Sequence, residues 1–403
     1  VGFSLDSNSD KEFDMNLATR PSHLLPERID ADPASMALAR PTLLCLSHLR
    51  WGFVYQRPQH VMSHLAKAYD VLFFEEPVFT QTQEHSLEAS HPVQGITVLV
   101  PHLSWGLNPE QVSAAQRVLL DEYLAHHAAV ELLLWYLTPM SLTFTEHLQA
   151  NVTIFDCMDE LSAFKGAPPD LLEKERQLMA KADVVFTGGY SLWEVKRKHH
   201  DNAHSLPSSV DIAHFAAARQ GLPEPADQVG IGHPRLGFFG VIDERFDIAL
   251  VNELAARRPD WQLILIGPVV KIDPESLPRR PNIHYLGGKG YPELPAYLSG
   301  WDVALMPFAI NESTRFISPT KTPEYLAGGC PVVSTPVRDV VRGYGASGVV
   351  SIADSADGFI SAVEAALLSK ADPDLLSRMD RVLEGMSWDA TCSAMKGHIE
   401  CLR

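Results

Sequence analysis

The chain has 403 residues, 46% of them apolar, enough for two cores of ordinary domain size; its 33 basic against 50 acidic residues give a formal charge of −17, which argues against broad nucleic-acid binding through Lys and Arg contacts to phosphate. Five scattered cysteines (Cys45, Cys157, Cys330, Cys392 and Cys401) form no Cys-x-x-Cys pair, a pattern of a reducing compartment and neither a disulfide scaffold nor a zinc site. No stretch reaches the roughly 20 apolar residues that span a bilayer and the start lacks a signal-peptide pattern, so a cytoplasmic protein is expected, with peripheral membrane contact left open.

Residues 1–40 have weak periodicity and read as a leader on the surface. Short apolar runs at 42–47, 71–74, 96–100, 132–137, 152–156 and 183–187 then predict strands. Helical patterns lie near 58–68, 109–127, 142–149, 171–182 and 192–199. Residues 217–234 are rich in Gly and Pro and read as a linker. The alternation restarts with strands at 236–241, 262–267, 283–286, 303–307 and 331–335 and helices at 248–258 and 294–298; the tail from 355 is helical. This is an α/β chain of two doubly wound domains, 41–218 and 230–386, whose parallel sheets are covered on both faces. Ligands of such sheets sit outside the carboxyl ends of the strands, so residues just after strand ends carry most weight.

Four segments fall there. In 318–333 a short helix begins with Ser318 or Thr322 as N-cap and ends at Gly328-Gly329 before a strand. Its start, with Ser318, Thr320 and Lys321, is an anion site, and Glu324 is a carboxylate that a sugar diol can hydrogen-bond; Glu near a helix start is also favourable without any ligand. In 237–247, Gly240 lets backbone approach a phosphate and Arg245 offers a charge-assisted contact, or pairs with Asp243, Glu244 or Asp247 instead. In 154–160, Asp156 or Asp159 is placed to act as general base, or to cap a helix. In 47–60, Arg50, Trp51, Arg57 and His60 combine aromatic surface with hydrogen-bonding groups suited to a carbohydrate acceptor, Trp51 being equally at home in a core; His48 is a second-choice base. No acidic residue lies between Asp32 and Asp70, and such a gap suits an anion-facing cleft or arises by chance. Asp30/Asp32 and Asp372/Asp374 match a D-x-D metal pattern without following an apolar strand, and His199, His200 and His204 read as a solvated face, so no metal site is expected.

The run Glu324-Tyr-Leu-Ala-Gly-Gly-Cys-Pro-Val-Val333 resembles the signature of GT-B glycosyltransferases, two facing Rossmann-like domains, and is most similar to glycosyltransferase family 4. The D-C-x-D run at 156–159 and the Q-R-P-Q-H run at 56–60 are similar to bacterial exopolysaccharide transferases. The resemblance implies that Glu324 binds the ribose of a nucleotide-sugar donor, that Arg245 binds its diphosphate, and that the loop around Tyr285 takes its base. It implies that the last helix crosses back, so that 387–403 packs on the N-terminal domain. The family's second Glu, eight residues before Glu324, is Phe316 here, and the Lys usually paired with the Arg is absent. The implied activity is metal-independent transfer of a sugar from a UDP- or GDP-sugar to a glycan, a lipid-linked glycan or a small molecule, with no cofactor beyond the donor. A nucleotide-sugar epimerase and a non-catalytic binding scaffold are the alternatives on the same fold.

Overall fold

The computed structural model describes residues 40–127 and 130–403, so the expected leader and the Asp30/Asp32 pattern lie outside the described residues. The first sheet is built from β1 (Thr42–Leu46), β2 (Asp70–Phe74), β3 (Val78–Thr80), β4 (Ser86–Val93), β5 (Ile96–Ser104), β6 (Leu132–Tyr136), β7 (Val152–Cys157), β8 (Val184–Thr187) and β9 (Ala203–Ser205). Its order is β3-β5-β2-β1-β6-β7-β8-β9, with β4 antiparallel to β5 and every other pairing parallel. The central strands are apolar almost without interruption because helices cover both faces. These are α1 (Arg57–Leu65), α2 (Pro109–His126), α3 (Leu142–Thr145), α4 (Leu171–Lys181) and α5 (Tyr190–Lys196), followed by α6 (Ile212–Ala216) in the crossover. Helix α2 starts where Pro109 follows Asn108, whose side chain accepts from Gln111 N at 2.9 Å while Gln111 Oε1 accepts from Asn108 N at 3.0 Å.

The second sheet comprises β10 (Arg235–Phe239), β11 (Gln262–Ile266), β12 (Ile283–Gly287), β13 (Val303–Met306), β14 (Val332–Ser334) and β15 (Val350–Ile352), all parallel, in the order β12-β11-β10-β13-β14-β15. Its helices are α7 (Ile248–Arg257), α8 (Leu294–Ser299), α9 (Lys321–Ala327), α10 (Arg338–Tyr344), α11 (Ala356–Ser369), α12 (Leu375–Leu383) and α13 (Trp388–Glu400). Strand order reverses between β10 and β13, as it does between β1 and β6. Each reversal opens a crevice at the carboxyl ends of the strands, and the two crevices face each other.

Helix α13 leaves the second domain and joins the first. Its Trp388, Cys392, Met395 and Ile399 are buried with Val61, Met62 and Leu65 of α1. Each large apolar side chain so buried stabilises the docking by about 1.5–3 kcal/mol. Asp389 meets His64 at 3.2 Å and Lys67 at 3.4 Å, and Trp388 stacks on His60 with ring centroids 4.4 Å apart.

Strands β3, β9 and β15 and helices α6 and α10 are absent from the sequence expectations, and further elements depart from theirs. Strand β4 has no counterpart in the expected pattern, though its partner β5 does, because β4 is a solvated edge, with Glu88 and Pro92 on it and no core-facing stripe to reveal it. The helix expected over 142–149 is a single turn, α3. Helix α9 starts at Lys321 with Thr320 as N-cap and no side-chain cap bond, so neither Ser318 nor Thr322 caps it.

Candidate functional site

Three cavities run together along the interdomain cleft. The central one, about 140 Å³, is lined by Gly240, Arg245, Ser318, Thr320 and Lys321 of the second domain and by Asp159 of the first. Through Val54, Gly240 and Lys321 it opens into a cavity of about 360 Å³ against the loop that follows β12. Through Gln56, Asp159, Val241 and Arg245 it opens on the other side into one of about 300 Å³ over the end of β1.

Close packing at the strand ends makes this cleft narrow. A Cβ on Gly267 (φ +144°) would lie 1.8 Å from Gly240 O, so the end of β11 reaches the backbone at the end of β10 only because residue 267 is glycine. A Cβ on Gly189 would lie 2.6 Å from Ser318 Cβ and 2.3 Å from Asp339 Oδ2, so the start of α5 meets the loop before α9 backbone to side chain across the domain boundary.

On the second-domain wall, Arg245 Nε and Nη2 donate to the Asp243 carboxylate at 2.7–3.1 Å, leaving Nη1 with no hydrogen bond among the described residues. Burial opposes the charge of Arg245, yet the Asp243 hydrogen bonds, with Asp159 and Glu244 nearby, hold its pKa above the usual value. Lys321 Nζ lies 3.1 Å from Glu324 Oε2 and 5.4 Å from the Phe239 ring centroid. Burial raises the pKa of Glu324 and Lys321 opposes that rise. Beyond this ion pair Glu324 Oε2 has no well-angled hydrogen bond among the described residues, and the buried hydroxyls of Thr322 and Tyr291 have none either. An unpaired buried polar atom costs about 1–3 kcal/mol. Tyr291 lines the cavity against the β12 loop, whereas Glu324 and Thr322 are buried behind the walls of the three cavities, with Lys321 between Glu324 and the cleft.

On the first-domain wall, the two aspartates separate. Asp156 is fully buried and takes Arg57 Nε at 3.1 Å on both oxygens and Nη2 at 2.7 Å. It does not reach the cleft, because the Arg57 guanidinium lies over it and also donates to Leu206 O at 2.7 Å. Asp159 lines two of the cavities, and burial raises its pKa against the opposing pull of Arg245. His48 lines the third cavity, with its pKa lowered to about 4 by burial and then by Lys271, so it is neutral at pH 7.

Several sequence candidates sit elsewhere. Arg50 is tied to Glu75 Oε2 at 3.0 Å and Pro77 O at 3.1 Å, and Trp51 packs edge-on against Phe73 at 5.1 Å. His60 is buried under Trp388. Tyr285 turns its hydroxyl to Pro278 O at 3.3 Å, and Gly288–Tyr291 of the same loop line the cavity in its place. In the segment free of acidic residues, Arg40, Arg50, Arg57, His64 and Lys67 each pair with a carboxylate from another part of the chain, and of these Arg57 lines the central cavity. His204, read as solvated, stacks on His398 of α13 at 3.7 Å.

One functional candidate had no motif. Lys271, in the loop after β11, holds φ +63° and lies 5.0 Å from the Phe164 ring centroid, while Arg245 lies 5.3 Å from the same ring. Its charge reaches both His48 and Asp159. A second cation therefore does stand beside Arg245, supplied by a different loop from the one the resemblance points to.

Residues 233–369, which span all of the second sheet, match the family described as glycosyl transferases group 1. TuaH of Bacillus subtilis (strain 168), a protein assigned as a teichuronic acid biosynthesis glycosyltransferase, is 28% identical over 234 residues. That match covers 54% of this chain and 59% of TuaH, so the chain spans less than two thirds of this curated relative's length. Among solved structures, sucrose-phosphate synthase of Thermosynechococcus elongatus superposes with a TM-score of 0.65 at 14% identity, covering 90% of this chain and 99% of that one. An E. coli trehalose-6-phosphate protein bound with UDP-2-fluoro glucose gives 0.65 at 13% over 90% and 98%. Anabaena HepE in complex with UDP gives 0.63 at 11% over 90% and 100%.

The chain therefore has the GT-B fold, with two facing Rossmann-like domains. Its second domain matches the group 1 glycosyl transferases, which bears out the resemblance seen in residues 324–333.

Proposed function

We propose that the protein is a glycosyltransferase that moves a sugar from a UDP- or GDP-sugar to a carbohydrate-bearing acceptor. The observation that carries this reading is the convergence of Gly240, Arg245, Ser318, Thr320 and Lys321 with Asp159 of the opposite domain in one cleft. Arg245 and Lys321 are the charges that meet the diphosphate as it leaves, and this electrostatic term does the work that a metal ion does in other transferases. Glu324, with unused acceptor capacity beside Lys321, orients the ribose. Asp159, its pKa raised by burial, takes the proton of the acceptor hydroxyl as that oxygen bonds to the anomeric carbon and the nucleoside diphosphate departs. Asp156 acts one step back, holding Arg57. The cavity over β1, with His48, Phe164 and Lys271, receives the acceptor. UDP and UDP-2-fluoro glucose in structural neighbours, and the teichuronic acid assignment of TuaH, support a UDP-sugar donor and a glycan acceptor.

The test is a panel of UDP- and GDP-sugars without added metal, scored for thermal stabilisation and nucleotide release with wild type and Glu324→Ala. Release that depends on an added glycan acceptor, together with binding lost in the variant, is the expected outcome. Rearranged sugar without acceptor would favour an epimerase, and binding without turnover a scaffold. No stabilisation by any compound would overturn the donor site.

A further inference from the structure

The segment Trp51-Gly-Phe-Val-Tyr-Gln-Arg-Pro-Gln-His60 places few of its polar side chains in the cleft, and most of them brace one loop. Gln59 Nε2 donates to Trp51 O at 2.9 Å and Val54 O at 3.1 Å, and Gln59 Oε1 accepts from Gln56 N at 3.1 Å. Trp51 N donates to Glu75 Oε1 at 2.7 Å, Arg50 reaches Glu75 and Pro77, and Arg57 is forked onto Asp156. What this bracing leaves at the tip is apolar. Phe53 is 50% exposed, and it lines both outer cavities. Val54 and Tyr55 line the one beside the β12 loop, where the Tyr55 ring stands 4.7 Å from that of Tyr291.

Phe53, Val54 and Tyr55 together make a contiguous apolar wall, and such a wall, unlike a lone exposed side chain, marks a ligand or partner site. Across the cavity stand Ile266, Pro268 and Leu294 of the second domain, so two apolar walls face each other. A cavity of about 360 Å³ is within the range of small-molecule sites, and at Gly240 and Lys321 it joins the space assigned above to the diphosphate. We infer that Phe53, Val54 and Tyr55 are the first domain's share of the nucleotide site, covering the nucleoside half of the donor. This rests on the donor reading and extends it: the donor is gripped across the domain boundary, and its affinity reports how the domains are set. Apolar side chains fit a flat base face because stacking needs no hydrogen-bond readout.

The test is calorimetric titration of the full chain with UDP and with GDP, for wild type, Phe53→Ala, Phe53→Leu and Glu324→Ala. Phe53→Ala is expected to weaken the preferred nucleotide about tenfold, and Phe53→Leu to recover most of that loss. Because Phe53 is half exposed, the melting temperature of the ligand-free Phe53→Ala protein should stay at the wild-type value, which separates a lost contact from a lost fold. Wild-type affinity in Phe53→Ala alongside lost binding in Glu324→Ala would overturn the inference and leave the donor reading standing. Failure of wild type to bind either nucleotide would overturn both.

Discussion

Asp159 lies three positions after Asp156, and the exit of β7 between them carries one side chain into the core and the other into the cleft. Asp156→Asn would leave the Arg57 guanidinium buried without its counter-charge, a defect that costs about 3–5 kcal/mol, to be read as a lower denaturant midpoint. Asp159→Asn should behave in the opposite sense. A carboxyl whose folded pKa lies above its unfolded one favours the folded state below the unfolded value, and that favour is lost as pH rises through the folded value. The variant should therefore melt higher than wild type at pH 7.5, with the gap closing toward pH 4, while acceptor-dependent turnover falls by about 10²–10⁴-fold. A lower melting temperature at pH 7.5 with turnover retained would remove Asp159 from the chemistry. Both carboxylates were legible as strand-end residues, but their division of labour was not. What buries Asp156 is Arg57, 99 positions away along the chain, and no local pattern encodes that pairing.

At the scale of elements, apolar runs and glycine stops reveal most strands because a strand covered on both faces must be apolar throughout. The same logic is silent on β4, which is exposed along its length, and on Lys271, which lies in a connecting loop. It is silent too on what α13 touches. The docking of α13 on α1 turns on His60, stacked on Trp388, close to Tyr55 and Tyr291, and facing the charges of Lys321, His64 and His214. Burial, then those neighbours, lowers its pKa to about 3. A histidine with a depressed folded pKa gives stability that is present above its unfolded value and lost as pH falls. Between pH 6.5 and 4 this amounts to roughly 3 kcal/mol. His60→Phe keeps a ring against Trp388 and removes the titration, so its stability curve should be flatter than wild type over that interval. Equal slopes in denaturant titrations at stepped pH would show that some other group carries the acid sensitivity.

For the whole molecule the question is what sets the width of the cleft. Asp339, at the start of α10 in the second domain, accepts from Ser191 N at 3.0 Å and from Ser191 Oγ at the start of α5 in the first. Arg338 and Arg342 flank it, each 2.8 Å from Glu194 of α5. Phe316, standing where the resembled family has a sugar-contacting Glu, packs on the first domain's hydrophobic cluster. The position has thus been given to interdomain contact, which is a physical reason for that departure from the signature. Phe316 immediately precedes the segment running through Ser318 and Lys321, and Ser318 and Asp339 both pack against Gly189 of the first domain, so the grip between domains and the geometry of the diphosphate wall are set together. Asp339→Ala leaves the buried Ser191 N–H without its acceptor, at about 1–3 kcal/mol, and removes the central contact of the set. The variant should show a larger radius of gyration in solution scattering without ligand. Its UDP affinity should fall because some of the binding energy must now close the cleft, and the radius at saturating UDP should return to the wild-type value. An unchanged ligand-free radius would mean that Phe316 and the Glu194 pairs hold the closed form without Asp339. A radius that stays large at saturating UDP would mean that the nucleotide binds to the second domain alone, and the cross-domain grip assigned to Phe53 would fall with it.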